Sequence, residues 1–130
     1  PAGTIIRCHA DLSASPKNVL YWRTKGNIYF NFYQISLNTD YMKKGLAAFQ
    51  KAENLAPTDP RMPYTVALYA LQLYDIDTTQ KYMYQQLVEK ELRRALYLKP
   101  DYVEANTLKA TYLKKINVEN TNKSPEESSP

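Results

Sequence analysis

Large apolar residues recur along this chain at spacings of three and four, the repeat of a helix that buries one face. Ile5, Cys8 and Leu12 share a face of a short first segment, Thr4–Ser13. A Ser15-Pro16 start signal then precedes a second helix over about Lys17–Ser36. Asp40 is placed to cap a third, about Tyr41–Leu55, whose apolar face is Leu46, Phe49 and Leu55 with small Ala48 and Ala52 between them. Asp59-Pro60 joins an acidic cap to a proline at the first helical position and opens a fourth helix to about Tyr74. Asp77-Thr78-Thr79 opens a fifth that reaches Leu98. Asp101 with Glu104 reads as a capping box for a sixth, ending near Ile116. From Asn117 onward the residues are almost all polar. They offer too little apolar area to pay for ordering, which predicts a disordered tail.

The six segments contain a repeat. Leu55-Ala56-Pro57 and Leu98-Lys99-Pro100 each end a long helical pattern. Each proline follows an alanine (Ala52, Ala95) and a large apolar residue (Phe49, Leu92) at matching distances, and each precedes an acidic residue and a new helix. Pro16 stands before another helix start, so the three prolines recur at intervals of roughly forty residues, a period typical of solenoids built from helix pairs.

Within the first unit, Trp22, Gly26 and Tyr29 fall in the W-x2-L-G-x2-Y register, with Lys25 where leucine is usual. Gly45, Phe49, Ala52 and Pro57 follow as a second helix and its stop. This stretch resembles a tetratricopeptide repeat (TPR). Tyr64-Thr65-Val66-Ala67 with Ala70, then Val88, Leu92, Ala95 and Pro100, are similar to a more degenerate second copy. The resemblance covers about residues 16–116 and implies an all-α fold, a right-handed helical-hairpin solenoid of about two to three such repeats. The implied division is 1–15 as the end of a preceding helix or partial repeat, 16–59 and 60–102 as two repeats, 103–116 as a capping helix or partial repeat, and 117–130 as the tail. Gly26, Gly45 and Ala52 then let two helices approach closely, while Trp22, Tyr29 and Phe49 share one buried seam. These units exceed the family length of about 34 residues. The excess falls near Asn31–Thr39 and Tyr74–Tyr84, where it is expected to enlarge the turns. Lengthened units with such turns are also similar to repeat tails of bacterial O-antigen-type glycopolymer ligases and polymerases.

Composition adds limits. A hydrophobic content of 44% with 23% charged residues fits an ordinary globular chain, and twelve tyrosines against three phenylalanines suit both helix seams and binding faces. One cysteine allows no internal disulfide and no cysteine-based metal cage. No run of residues approaches the roughly 20 apolar positions of a membrane span, and the chain begins at Pro1 like a piece of a longer protein. No compartment is indicated.

Chemistry finds little support. Cys8 and His9 are the only thiol and imidazole, and neighbours on a helix diverge by about 100°, so they make no nucleophile–base pair. Glu89 and Glu91 read as a solvated face, and no phosphate loop, nucleophile elbow or zinc motif occurs. No cofactor and no metal are expected, and an enzymatic role comes last. The net charge of +4 is spread over Lys43-Lys44, Arg93-Arg94 and Lys114-Lys115 near helix ends, which disfavours nucleic acid as the partner.

The family geometry implies a concave groove lined by the first helix of each unit. Arg23, Asn27, Phe30 and Asn31 come from the first unit, Arg61, Tyr64 and Leu68 from the second, and Thr107 and Thr111 from the last helix. Arg23 and Asn27 resemble part of the basic–asparagine grip that some family members use on a peptide carboxylate. Thr65, Glu104 and Leu108 stand where the rest of that grip is wanted, so it is incomplete. The expected function is a non-catalytic scaffold that binds a protein or peptide. The alternative is an accessory domain of a larger membrane-bound glycopolymer enzyme.

Overall fold

A computed structural model describes residues 18–127, with the side chains of 18–121. The expected helix Thr4–Ser13, with Cys8, His9 and the Pro16 signal, lies outside the described residues. Among those described, the chain is all-helical: α1 Val19–Ser36, α2 Thr39–Leu55, α3 Arg61–Ile76, α4 Lys81–Leu98 and α5 Val103–Glu127, with a 3₁₀ turn Thr78–Gln80 before α4. No strand is present among these residues.

Consecutive helices pair as antiparallel hairpins. The Asn18 side chain caps α1 by accepting from the Tyr21 backbone N–H at 3.3 Å. The helix ends at Leu37, which takes a left-handed conformation (φ 57°) and donates its N–H to the Tyr33 carbonyl at 2.7 Å. Only Leu37 and Asn38 separate α1 from α2. The cap of α2 is Asn38, accepting from the Asp40 N–H at 3.0 Å, rather than Asp40. Asp40 occupies the first turn instead, where its charge complements the helix dipole. The extra length of the first unit therefore extends the helices and does not enlarge their turn. The same holds between α3 and α4, where only Asp77 and the 3₁₀ turn intervene.

Close approach of α1 and α2 rests on Gly26 and Gly45. A β-carbon on Gly26 would stand 2.6 Å from the Phe49 ring, and one on Gly45 would stand 3.3 Å from the Gly26 carbonyl. Phe49 is buried and meets Tyr69 of α3 edge-on at 4.8 Å, so the first hairpin locks onto the second. Trp22 and Tyr29 do not join that seam as expected. They flank Gly26 on the same face of α1 but stay half-buried, Tyr29 beside Gly45 and stacked on Tyr41 and Trp22 beneath Lys51, because Gly26 gives Phe49 the space between the helices. The core continues through Met42, Val66, Leu73 and Val88, each fully buried, to Tyr102 just before α5 and to Ala105, Leu108 and Tyr112 within it.

Ring contacts and hydrogen bonds place α1, α3 and α5 in one layer. Phe30 packs on Tyr69 at 5.0 Å and Tyr64 on Tyr102 at 5.3 Å. Helices α2 and α4 form the other layer, with an open groove of about 550 Å³ between them lined by Lys43, Leu46, Gln50, Met83, Tyr84, Leu87 and Lys90. Arg94 ties α4 to the α2–α3 turn through the Pro57 carbonyl at 2.7 Å, a tertiary role beyond complementing a helix end.

Two expectations about the last helix are corrected. Its start is held by Asn106, whose side chain donates to the carbonyls of Pro100 (3.2 Å) and Tyr102 (3.1 Å), and no Asp101–Glu104 capping box forms. Nor does it end near Ile116, since α5 runs on to Glu127. Once a helix is nucleated by packing, each added residue costs little. Glu119 then fastens the extension, accepting from the buried Tyr74 hydroxyl and pairing with Lys81 at 3.3 Å, one turn beyond the Lys115–Asp75 pair at 2.9 Å. Counting apolar residues alone could not register these bonds.

Candidate functional site

The residues expected in a groove divide into two groups. Arg23, Arg61 and Tyr64 come together near the N-terminal ends of their helices, around Asp59. Arg61 grips that carboxylate through Nε (3.1 Å) and a terminal nitrogen (2.9 Å), while its backbone N–H donates to the same group at 3.0 Å. The Arg61 guanidinium, with the charge of Arg23 acting from farther away, holds Asp59 below the usual carboxylate range. Tyr102 completes the cluster, its ring over that of Tyr64 and its phenol raised by burial. The result is a ledge of two cations, one anion and two tyrosine rings that joins α1, α3 and α5.

Asn27 and Asn31 project from α1 as exposed side chains. Thr107 and Thr111 are exposed on α5, where the Thr111 hydroxyl donates to the Thr107 carbonyl at 3.1 Å. Phe30 and Leu68 serve differently. Both are half-buried against the core, and Phe30 stacks on Tyr69 and Tyr33. They brace the surface more than they present one.

The sequence gives little sign that Asp59 and Tyr102 belong to this cluster. Asp59 reads as a helix cap in the sequence, which it partly is, and the arginine two positions later is the only local sign of a clamp. Tyr102 carries no such sign, because its partner Tyr64 lies far away along the chain.

The carboxylates behave unlike a solvated face. Glu89, exposed, accepts from the Tyr112 hydroxyl of α5. Glu91 is only 2% exposed, and its Oε2 has no hydrogen-bond partner. Burial raises its pKa, and the neighbouring carboxyl of Glu53 on α2 raises it further. Asp77, also buried, is the reverse case. It is held down to about 2 by the Thr79 hydroxyl and by Lys43 (3.1 Å), with Tyr84 donating at 3.2 Å. Asp77 thereby ties the end of α3 to Lys43 of α2 and Tyr84 of α4.

Among the described residues, no group of histidine, cysteine, aspartate and glutamate could hold a metal ion. No helix there is long and apolar enough to cross a membrane. No protein-family model matches the chain, and a search of curated proteins finds no match.

Proposed function

We propose that this chain is a TPR-like interaction module whose α1–α3–α5 layer binds an extended peptide or a partner's loop. The observation that carries the reading is the ledge of Arg23, Asp59, Arg61, Tyr64 and Tyr102, continued along α1 by exposed Asn27 and Asn31. An asparagine amide both donates and accepts, so a row of them one turn apart suits the alternating N–H and C=O groups of a peptide backbone. Asp59 already neutralises Arg61, which leaves Arg23 to choose an acidic residue in the ligand. Tyr64 and Tyr102 supply rigid, amphipathic anchoring area.

Panning a random phage-displayed peptide library on the full chain tests this. Recovered peptides should bind the wild type and lose about tenfold or more in affinity to Arg23→Ala and Asn27→Ala, a loss of about 1.4 kcal/mol or greater. Lys114→Ala, a charge change on α5 outside the ledge, should leave binding intact at moderate salt. Failure to select any peptide, or equal binding by all three variants, overturns the proposal.

A further inference from the structure

The outer side of the first hairpin, turned away from α3, carries a long apolar stripe. Tyr21, Lys25, Ile28, Phe32 and Ile35 recur along α1 at alternating steps of four and three, the pattern of a face made to pack on another helix. Ile28 is 46% exposed, Phe32 47% and Ile35 83%. Beside the stripe, Phe32 and Tyr29 meet Tyr41 of α2 at 5.5 and 6.3 Å. Lysines lie over the rings: Lys25 and Lys51 on Trp22 at 5.0 and 5.3 Å, and Lys44 near 6 Å from both Tyr29 and Tyr41. Helix α1 contains no carboxylate. The end unit of a stacked helical array needs a cap over such a face.

We propose that residues 4–13 of this same chain are that cap, packed antiparallel on the N-terminal half of α1. Three observations converge on this occupant. The segment ends just before Asn18, the cap of α1, which leaves a connection of ordinary length for a helical hairpin, with Pro16 at its middle. Its apolar residues Ile5, Cys8 and Leu12 step by three and then four, and Ile28, Lys25 and Tyr21 descend by the same steps. An antiparallel register therefore sets Ile5 against Ile28, small Cys8 against the long stem of Lys25, and Leu12 against Tyr21. In that register Asp11 falls beside Trp22, where Lys25 and Lys51 converge and no carboxylate of α1 is present. Ten helical residues span ~15 Å, so the cap covers the stripe as far as Ile28 and leaves Phe32 and Ile35 beyond it. This surface is separate from the peptide ledge, and the two proposals stand or fall independently.

The single cysteine makes the register measurable. In the full chain, Lys25→Cys should form an intramolecular disulfide with Cys8 under oxidised glutathione, seen by intact mass and non-reducing electrophoresis. Thr24→Cys, one residue away but about 100° around the helix, should crosslink at least tenfold more slowly. Equal rates in the two variants overturn the register. Crosslinks that form only between molecules and rise with protein concentration mean that a second copy occupies the face, which also overturns the proposal. A second readout needs no disulfide: Ile5→Asp with Leu12→Asp should lower the melting temperature, and an unchanged melt means that the segment does not pack.

Discussion

The Phe49 ring occupies the place where a side chain on Gly26 would begin, with three ring carbons between 2.6 and 2.8 Å from a β-carbon built there. Two effects of opposite sign therefore meet in Gly26→Ala. Replacing glycine within a helix stabilises by roughly 0.5–1 kcal/mol. Overpacking a filled core costs about 1–3 kcal/mol, and the Phe49 ring has little room to retreat because Tyr69 backs it edge-on at 4.8 Å. Gly26→Ala should lower stability in chemical denaturation. In a Phe49→Ala background, itself costing about 3–5 kcal/mol, the same change should become stabilising. Destabilisation in both backgrounds means that the ring is not the obstacle.

Leu37 holds a left-handed backbone with its side chain 72% exposed, so little packing compensates its strain. Leu37→Gly should raise stability by about 1 kcal/mol, the cost of that conformation for a residue with a β-carbon. A thermal melt checks it, and a fall in melting temperature would show that the exposed leucine has a packing role.

Glu119 and the buried Tyr74 hydroxyl fasten the extension of α5 to α3. Glu119→Ala should cost about 1–2 kcal/mol, since it strips a charged acceptor from a buried donor. Much of that loss should vanish in a Tyr74→Phe background, where no donor remains. Additive costs in the double-mutant cycle mean that the two residues are not coupled.

Glu91 gives stability a pH dependence of definite sign. Its folded-state pKa is raised above the ordinary glutamate value of 4.5 by burial and by Glu53. The folded chain therefore holds a proton that the unfolded chain releases, so this contribution is complete below 4.5 and is lost as pH rises through the raised value. Glu91→Gln keeps the neutral shape, and its stability relative to wild type should grow from pH 5 toward pH 8. Parallel pH curves for the two proteins contradict the assignment. Asp77 works in the other direction: held at about 2, its stabilisation is present above the ordinary aspartate range and disappears as pH falls toward 2.

The periodicity of apolar residues by itself determined that α1 to α4 exist, and roughly where they stop. Three-four spacing, Pro57 and Pro100, and Asp59 and Asp77 are local signals whose physics acts within a turn or two. The close contact at Gly26 and Gly45 was legible for the same reason, since small residues in register mark where two helices can touch. Only the tertiary structure decided which helical face each aromatic occupies. Phe49 is buried against Tyr69 while Trp22 and Tyr29, on the Gly26 face of α1, stay half-buried beneath lysines, because all three are compatible with a seam and the winner depends on what the next hairpin presents. The extension of α5, the burial of Glu91 and the meeting of Tyr64 with Tyr102 have a common cause. Each depends on a partner far away in sequence, and a polar residue's worth is set by whether that partner arrives.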